Sequence, residues 1–107
     1  MPRYAVLQLN TKDDRRENLR VADQLVRRAA GQGADVICLP EMWAFIGRDE
    51  YKVGGAEELD GPSMTAMREL AMELGVWLLP GSFAERSDVP GRVYNTCLLY
   101  TSDAADE

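Results

Sequence analysis

The sequence contains no histidine. Within this chain, that absence excludes a Ser-His-Asp or Cys-His catalytic arrangement and a helical HExxH zinc site. Acid–base chemistry near neutral pH must therefore come from a carboxylate, a lysine, a tyrosine or a cysteine. Cysteine is scarce too. Cys38 and Cys97 are too few for a disulfide framework or a metal cluster, which predicts a reducing, cytoplasmic setting.

Other absences narrow the class of partner. The glycines form no G-x-G-x-x-G or P-loop arrangement, so the sequence offers no phosphate cradle. Acidic residues outnumber basic residues by 18 to 12, for a net charge of −6, which disfavours nucleic acid as a partner. No apolar run is long enough for a signal-peptide core or a membrane span, so we expect no membrane partner.

What is present is the composition of one globular domain: 107 residues, of which 46% are hydrophobic and 28% are charged. An apolar run at residues 4–9 predicts a strand buried on both faces, and residues 35–39 predict a second buried strand. Helical spacing between them predicts a βαβ unit with parallel strands. Asp14 and Glu17 resemble a capping box that begins this helix, and Gly31 or Gly33 ends it.

The second half of the chain continues the alternation. Residues 43–60 lack periodicity and predict a long loop. A second helix begins at Gly61-Pro62-Ser63 and ends at Gly75. Its predicted apolar face comprises Met64, Met67, Leu70, Ala71 and Leu74. Strands are predicted at 76–79 and 92–99, which completes a β-α-β-loop-α-β-β order and an α/β layered fold.

The best candidate for chemistry lies at the end of the second strand, where open α/β sheets bind ligands. Glu41 follows this strand directly, and its apolar neighbours could desolvate the carboxylate and raise its pKa toward the range of a general base. A solvated loop glutamate is the alternative that the residues alone leave open. Cys38 lies within an apolar run and is interpreted as a small buried hydrophobe, not as a nucleophile.

Several pieces of the chain, taken in order and spacing, resemble the N-terminal part of the carbon–nitrogen hydrolase (nitrilase) superfamily. They are Asn18-Leu19, residues 34–41 (ADVICLPE), 59–62 (LDGP), 70–76 (LAMELGV), 81–83 (GSF) and 93–96 (VYNT). Residues 43–47 (WAFIG) and 81–86 (GSFAER) look most like Nit-type amidases, which act on deaminated glutathione or ω-amides. The resemblance runs over residues 3–96 without a visible gap.

The resemblance implies a four-layer α-β-β-α sandwich, of which this chain would be the N-terminal part, and hydrolysis of C–N bonds in small non-peptide amides. In that family a cysteine thiolate attacks an amide or nitrile carbon, a glutamate is the general base and a lysine stabilises the tetrahedral intermediate. The family's base corresponds to Glu41 here. The resemblance further implies that no cofactor is needed and that the complete protein is a homo-oligomer.

The family's lysine and its nucleophilic cysteine belong to segments that follow the Tyr-Asn strand, and neither segment occurs in this chain. Lys12, Lys52, Cys38 and Cys97 lie in the wrong segments and receive no catalytic role. The resemblance therefore predicts a truncated chain that holds only the base of the active site and is inactive alone.

The last residues do not resemble the family. Residues 97–107 (CLLYTSDAADE) resemble a translated transposase mosaic-end sequencing adapter, because CTGTCTCTTATACACATCT read from its second base gives Cys-Leu-Leu-Tyr-Thr-Ser. We therefore expect a native portion over 1–96 and a non-native tail over 97–107, although natural acidic tails are also common. Residues 1–96 contain 15 acidic and 12 basic residues, a net charge of −3, so charge identifies no partner.

Two other functions remain open at this stage. One is a free-standing α/β binding module or nucleotide-binding half-domain, against which the missing phosphate loop argues. The other is a non-catalytic family member that pairs with another subunit. Whether or not the complete family member is catalytic, half a sandwich leaves a sheet face and a strand edge uncovered. We therefore expect the isolated chain to be poorly soluble or partly folded.

Overall fold

The computed structural model describes residues 2–44, 56–90 and 92–100, and most of the predicted 43–60 loop lies outside them. The elements in chain order are β1 (Tyr4–Val6), α1 (Arg15–Gly31), β2 (Val36–Cys38), α2 (Pro62–Leu74), β3 (Trp77–Leu79), β4 (Ser82–Arg86) and β5 (Val93–Cys97). This order confirms an α/β fold. Of the helices in the described residues, none is long and apolar enough to cross a membrane.

The two helices begin and end close to the predicted positions. Asp14 is the N-cap of α1, and its carboxylate accepts a hydrogen bond from the backbone N of Glu17 at 3.2 Å. Gly31 is its last helical residue, Gln32 is the C-cap, and Gly33 follows with a left-handed φ of +91°. Helix α2 starts with Pro62 and is followed by Gly75, whose φ of +65° is the left-handed conformation of a C-cap. Residues at the helix ends therefore determine where both helices begin and end.

Strands β1, β2 and β3 form a parallel sheet in that order, with β2 in the centre. The register aligns Ala5 with Ile37 and Ile37 with Leu78, so these three side chains point to one face. Parallel pairing of consecutive strands is what the βαβ pattern predicts, and it is confirmed. Helices α1 and α2 lie on the same face of the sheet, because both pack into the one core that Ile37 and Leu78 join.

The core lies between this sheet and the two helices. Its fully or nearly fully buried members include Ala22, Val26 and Ala29 of α1, Met64, Met67, Leu70 and Ala71 of α2, and Ile37 and Leu78 of the sheet. The two helices also meet at their outer surfaces, where Arg27 pairs with Glu73. The Arg27 guanidinium lowers the pKa of the Glu73 carboxyl by hydrogen bonding to it.

Strands β4 and β5 form a separate antiparallel pair, in which Ser82 lies opposite Cys97 and Ala84 lies opposite Asn95. The strand predicted at 92–99 is β5, and β4 is a strand that sequence analysis does not predict. The Ser-Phe-Ala-Glu-Arg sequence of β4 holds one large apolar residue, Phe83, so its hydrophobic pattern is weak. This segment forms a strand because it pairs with β5, and its own hydrophobic pattern is too weak to predict one.

The other face of the parallel sheet is apolar and open. It carries the residues that alternate with the core positions, namely Tyr4, Val6, Val36, Cys38, Trp77 and Leu79. Tyr4 is 62% exposed and Val6 is 83% exposed, so the prediction that the first strand is buried on both faces is wrong. Cys38 is half-buried, not fully buried. One helix layer on one sheet with an apolar open face is what half of an α-β-β-α sandwich looks like.

Replacing Val6 by lysine should raise the soluble, monomeric fraction of the isolated chain, because Val6 is the most exposed large apolar residue of the open face. Soluble yield and size-exclusion chromatography measure the effect. Val89→Lys is the matched control: Val89 is 51% exposed but lies in the turn between β4 and β5, so it should change little. Equal gains from both substitutions would show that added charge, not the open face, governs solubility.

Candidate active site

Glu41 lies where the sequence predicts it, just beyond the carboxyl end of the central strand. The backbone N of Leu39 donates to the carbonyl of Leu79 at 2.9 Å, which carries the pairing of β2 and β3 one residue past the strands. Pro40 then ends the strand, since its ring has no N–H to donate. The chain turns at residues 41–44. This end of a parallel sheet is the usual place for a ligand site in an open α/β fold.

The Glu41 side chain is exposed in this structure. Its Oε1 accepts a hydrogen bond of 2.7 Å from Nδ2 of Asn95, which β5 carries. The expected desolvation by the apolar residues that flank Glu41 is not observed, because Trp43 is fully buried while Glu41 stays in contact with solvent. Two further flanking residues, Phe45 and Ile46, lie outside the described residues.

The backbone next to Glu41 is bound to the beginning of β4. Met42 has a φ of +53°, a left-handed conformation that costs a non-glycine residue roughly 1–2 kcal/mol. Its backbone N donates to the carbonyl of Ser82 at 2.9 Å and lies 3.1 Å from the Ser82 hydroxyl. The Trp43 indole N–H donates to the carbonyl of Pro80 at 2.7 Å. These contacts hold the turn in a conformation that it would not adopt alone.

The close approach of this turn to the β3–β4 connection requires glycine at position 81. Gly81 has a φ of +61°, and a Cβ atom built on it would lie 1.9 Å from the carbonyl oxygen of Pro40. That distance is far inside van der Waals contact, so any side chain here would have to push the strand end away. Gly81 therefore permits the Pro40–Glu41 backbone to lie directly against β4.

The other end of the turn is tied to the loop before α1 by Asn18, a buried polar residue. Its side-chain amide donates to the carbonyls of Lys12 at 2.7 Å and Ala44 at 2.9 Å, and its Oδ1 accepts from the backbone N of Lys12 at 3.0 Å. Because the residue is only 3% exposed, these partners satisfy groups that would otherwise be buried without hydrogen bonds. Asn18 thus joins the loops that follow β1 and β2.

Glu57, unlike Glu41, is a buried carboxylate, and it has a structural role in α2. It is 6% exposed, and it accepts hydrogen bonds from the backbone N of Ser63 at 2.9 Å and from the Ser63 hydroxyl at 2.6 Å. Arg15 lies 3.3 Å from the same carboxylate. A carboxylate bound to an N–H of the first turn stabilises the start of a helix. Glu57 is therefore a cap for α2, which sequence analysis does not identify.

The side chain bound to Glu41 is that of Asn95, and none of the cysteines or lysines considered in the sequence is bound to it in the described residues. Cys38 points to the open sheet face, Cys97 is exposed at the end of β5, and neither is in a disulfide. Lys12 is exposed in the loop before α1, and Lys52 lies outside the described residues. In the part of the chain that the structure describes, no group of three acidic or cysteine side chains could hold a metal ion.

The sequence alone does not identify Asn95, Ser82 and Gly81 as residues of this site. The signals for them are weak: a polar Asn in a short strand, and a Pro-Gly-Ser sequence that equally fits an ordinary turn. Asn95 binds a partner 54 residues away and Ser82 one 40 residues away, so neither contact has a local sequence signature.

The family model of the carbon–nitrogen hydrolases matches residues 3–105, and the chain belongs to that family. Omega-amidase NIT2 of Danio rerio is 37% identical over 101 residues, which are 94% of this chain and 36% of the relative. The human deaminated glutathione amidase is 35% identical over 109 residues, covering 98% of this chain and 33% of that protein. The resemblance inferred from the motifs is thereby confirmed.

Solved structures show the same fold. The Caenorhabditis elegans NitFhit protein superimposes with a TM-score of 0.85 and 27% identity, over 97% of this chain and 27% of that chain. XC1258 from Xanthomonas campestris, a CN-hydrolase superfamily protein, gives a TM-score of 0.77 and 29% identity, over 92% of this chain and 37% of its own. The described chain is thus the N-terminal part of an α-β-β-α sandwich. It spans about a third of the length of the curated relatives it matches.

Proposed function

We propose that this chain is the N-terminal part of an amidase that hydrolyses small non-peptide amides, and that Glu41 is its general base. The observation that carries the proposal is the position of Glu41: an exposed carboxylate at the end of the central strand, bound by Asn95 and followed by a backbone turn fixed to β4. The turn after Glu41 contains Met42, whose backbone is left-handed, and it lies against Gly81, where a side chain would not fit. Strained backbone of this kind clusters at functional sites, which favours a functional Glu41 over an ordinary loop glutamate.

The proposed reaction follows from a carboxylate acting beside a cysteine and a lysine supplied by later segments. Glu41 accepts the thiol proton, the thiolate attacks the amide carbon, and the lysine stabilises the oxyanion. Glu41 then returns the proton to the leaving nitrogen, so that ammonia departs and a thioester remains. In the second half, Glu41 takes a proton from water, and the resulting hydroxide attacks the thioester. The thiolate leaves, takes that proton back from Glu41, and the acid is released.

The substrate class rests on the relatives. The omega-amidase of Danio rerio and the human deaminated glutathione amidase are the relatives that support it. We propose that the complete enzyme takes a small amide of this kind, needs no cofactor, forms a homo-oligomer and resides in the cytoplasm. An α/β binding module remains the alternative, and a rise in melting temperature on adding a nucleotide would favour it.

We also propose that native sequence covers residues 1–96 and that residues 97–107 are a non-native tail, even though the family model matches as far as residue 105. Coding sequence of the source that runs past Thr96 should therefore diverge from this chain at Cys97 and continue into the lysine and cysteine segments. The completed enzyme should release ammonia from a small ω-amide, and the chain described here should release none above a protein-free blank. Ammonia release by this chain alone would contradict the proposal, as would native coding sequence that retains residues 97–107.

A further inference from the structure

We propose that Asn95 is a positioning residue for Glu41: its side-chain amide fixes the direction in which the carboxylate faces the reacting atoms. The inference rests on the proposed role of Glu41 as the base and goes further by assigning the group that orients it. Asn95 itself would touch neither substrate nor nucleophile in this role; it would act through Glu41.

The hydrogen bond has the geometry of a strong, oriented contact. Nδ2 of Asn95 lies 2.7 Å from Oε1 of Glu41, at the short end of the range for an N–H donor and typical of an ionised acceptor. A glutamate has three side-chain torsions, and an exposed one ordinarily samples many rotamers. A donor bound to Oε1 selects among them and presents Oε2 for proton transfer.

The donor is carried by the same hairpin that binds the backbone after Glu41. Ser82 of β4 binds the backbone N of Met42, and Asn95 lies on β5, opposite Ala84 of β4. The side chain of Glu41 and the peptide that follows it are therefore both hydrogen-bonded to the pair of strands β4 and β5. Two attachment points on one rigid unit fix a direction, whereas a single point would leave the carboxylate free to swing.

The exposure of the pair indicates a role other than stability. Glu41 and Asn95 are both exposed, and a hydrogen bond between exposed groups adds little to folding because water replaces either partner. Orientation of a base, by contrast, affects the rate strongly, since small misplacements of a catalytic group are reflected directly in kcat. Loss of Asn95 should thus be mild for the fold and severe for turnover.

The neighbouring residue provides a matched control. Thr96 also lies on β5, and its hydroxyl donates a side-chain hydrogen bond of 2.6 Å, but to Glu85 within the hairpin and not to Glu41. Thr96→Ala therefore removes a comparable contact from the same strand without touching the base. An effect that is merely structural, through a loosened hairpin, should appear in both Asn95 and Thr96 variants.

The test is steady-state hydrolysis of a small ω-amide by the complete enzyme. Asn95→Ala should lower kcat by about 10- to 100-fold with KM changed by less than about threefold and with an unchanged melting temperature. Asn95→Asp, which keeps the size but removes the donor, should lower kcat at least as much. Asn95→Gln retains the amide and should recover part of the loss. Thr96→Ala should keep kcat near the wild-type value.

Each outcome separates this inference from the proposed function when Glu41→Gln is assayed alongside. If Glu41→Gln is inactive while Asn95→Ala and Asn95→Asp turn over normally, Glu41 remains the base and the positioning role of Asn95 is overturned. If Thr96→Ala loses as much activity as Asn95→Ala, the role is structural and the inference also fails. If Glu41→Gln itself turns over normally, Glu41 is not the base, and the proposed function is wrong whatever the Asn95 variants show.

Discussion

In the complete enzyme, Glu41→Gln should lower kcat/KM for a small amide by about 10²- to 10⁴-fold, the usual contribution of a general base. Glutamine has the size of glutamate but cannot accept the thiol proton at neutral pH. Its side-chain carbonyl can still accept the hydrogen bond that Asn95 donates at 2.7 Å, so the turn should keep its shape. The loss should therefore appear in the rate and not in the melting temperature. Ammonia release measures the first and thermal unfolding the second.

The matched control is Glu58→Gln. Glu58 carries an exposed carboxylate that pairs with Arg86 at 3.7 Å, a surface pair of small energetic consequence. The same chemical change there should leave kcat/KM within about twofold, since surface substitutions rarely have larger effects. Near-normal turnover by the Glu41→Gln enzyme would remove Glu41 from the role of base.

The second large effect concerns Gly81→Ala, which should destabilise the protein by about 3 kcal/mol or more. Two independent causes act together. The new Cβ would lie 1.9 Å from the carbonyl oxygen of Pro40, and the left-handed φ of +61° disfavours alanine even without a contact. Relief requires the end of β2 to move away from β4, which would also displace Glu41. Chemical denaturation of the complete enzyme measures the loss of stability, and kcat in the folded fraction measures the displacement.

Gly75→Ala separates the two causes. Gly75 has nearly the same conformation, with a φ of +65°, but nothing lies within 4 Å of a Cβ built there. Its replacement should cost only about 1 kcal/mol, which is the conformational term alone. If Gly81→Ala is no worse than Gly75→Ala, the close contact with Pro40 is not a constraint in the folded protein.

The parts of the fold that sequence analysis predicts are those with local causes. Asp14 caps α1 through an N–H three residues away, and Gly75 ends α2 because its own backbone is left-handed. The parallel order of the strands follows from the length of their crossovers. Strand β4 has no such local signal, because its sequence holds one large apolar residue, Phe83, and so shows little hydrophobic periodicity.

The residues of the site likewise fall into those with a local sequence signal and those without one. Glu41 was found because a strand-Pro-Glu sequence is itself a local pattern, and the family resemblance assigns it a role. Asn95 and Ser82 were missed because each meets the turn only after the hairpin has packed against the sheet. Glu41 is not desolvated as the sequence predicts, for a related reason. The indole of Trp43 is buried in the core, where it donates to the carbonyl of Pro80, and does not cover the carboxylate.

The most direct test of the account is formation of the acyl-enzyme, followed by intact-protein mass spectrometry after rapid quenching of the complete enzyme with a small ω-amide. The wild-type enzyme should gain the mass of the acyl group on its cysteine within the first turnover, and the Glu41→Gln enzyme should gain none on that time scale. Acylation of the Glu41→Gln enzyme at the wild-type rate would contradict the claim that this chain supplies the base of the active site.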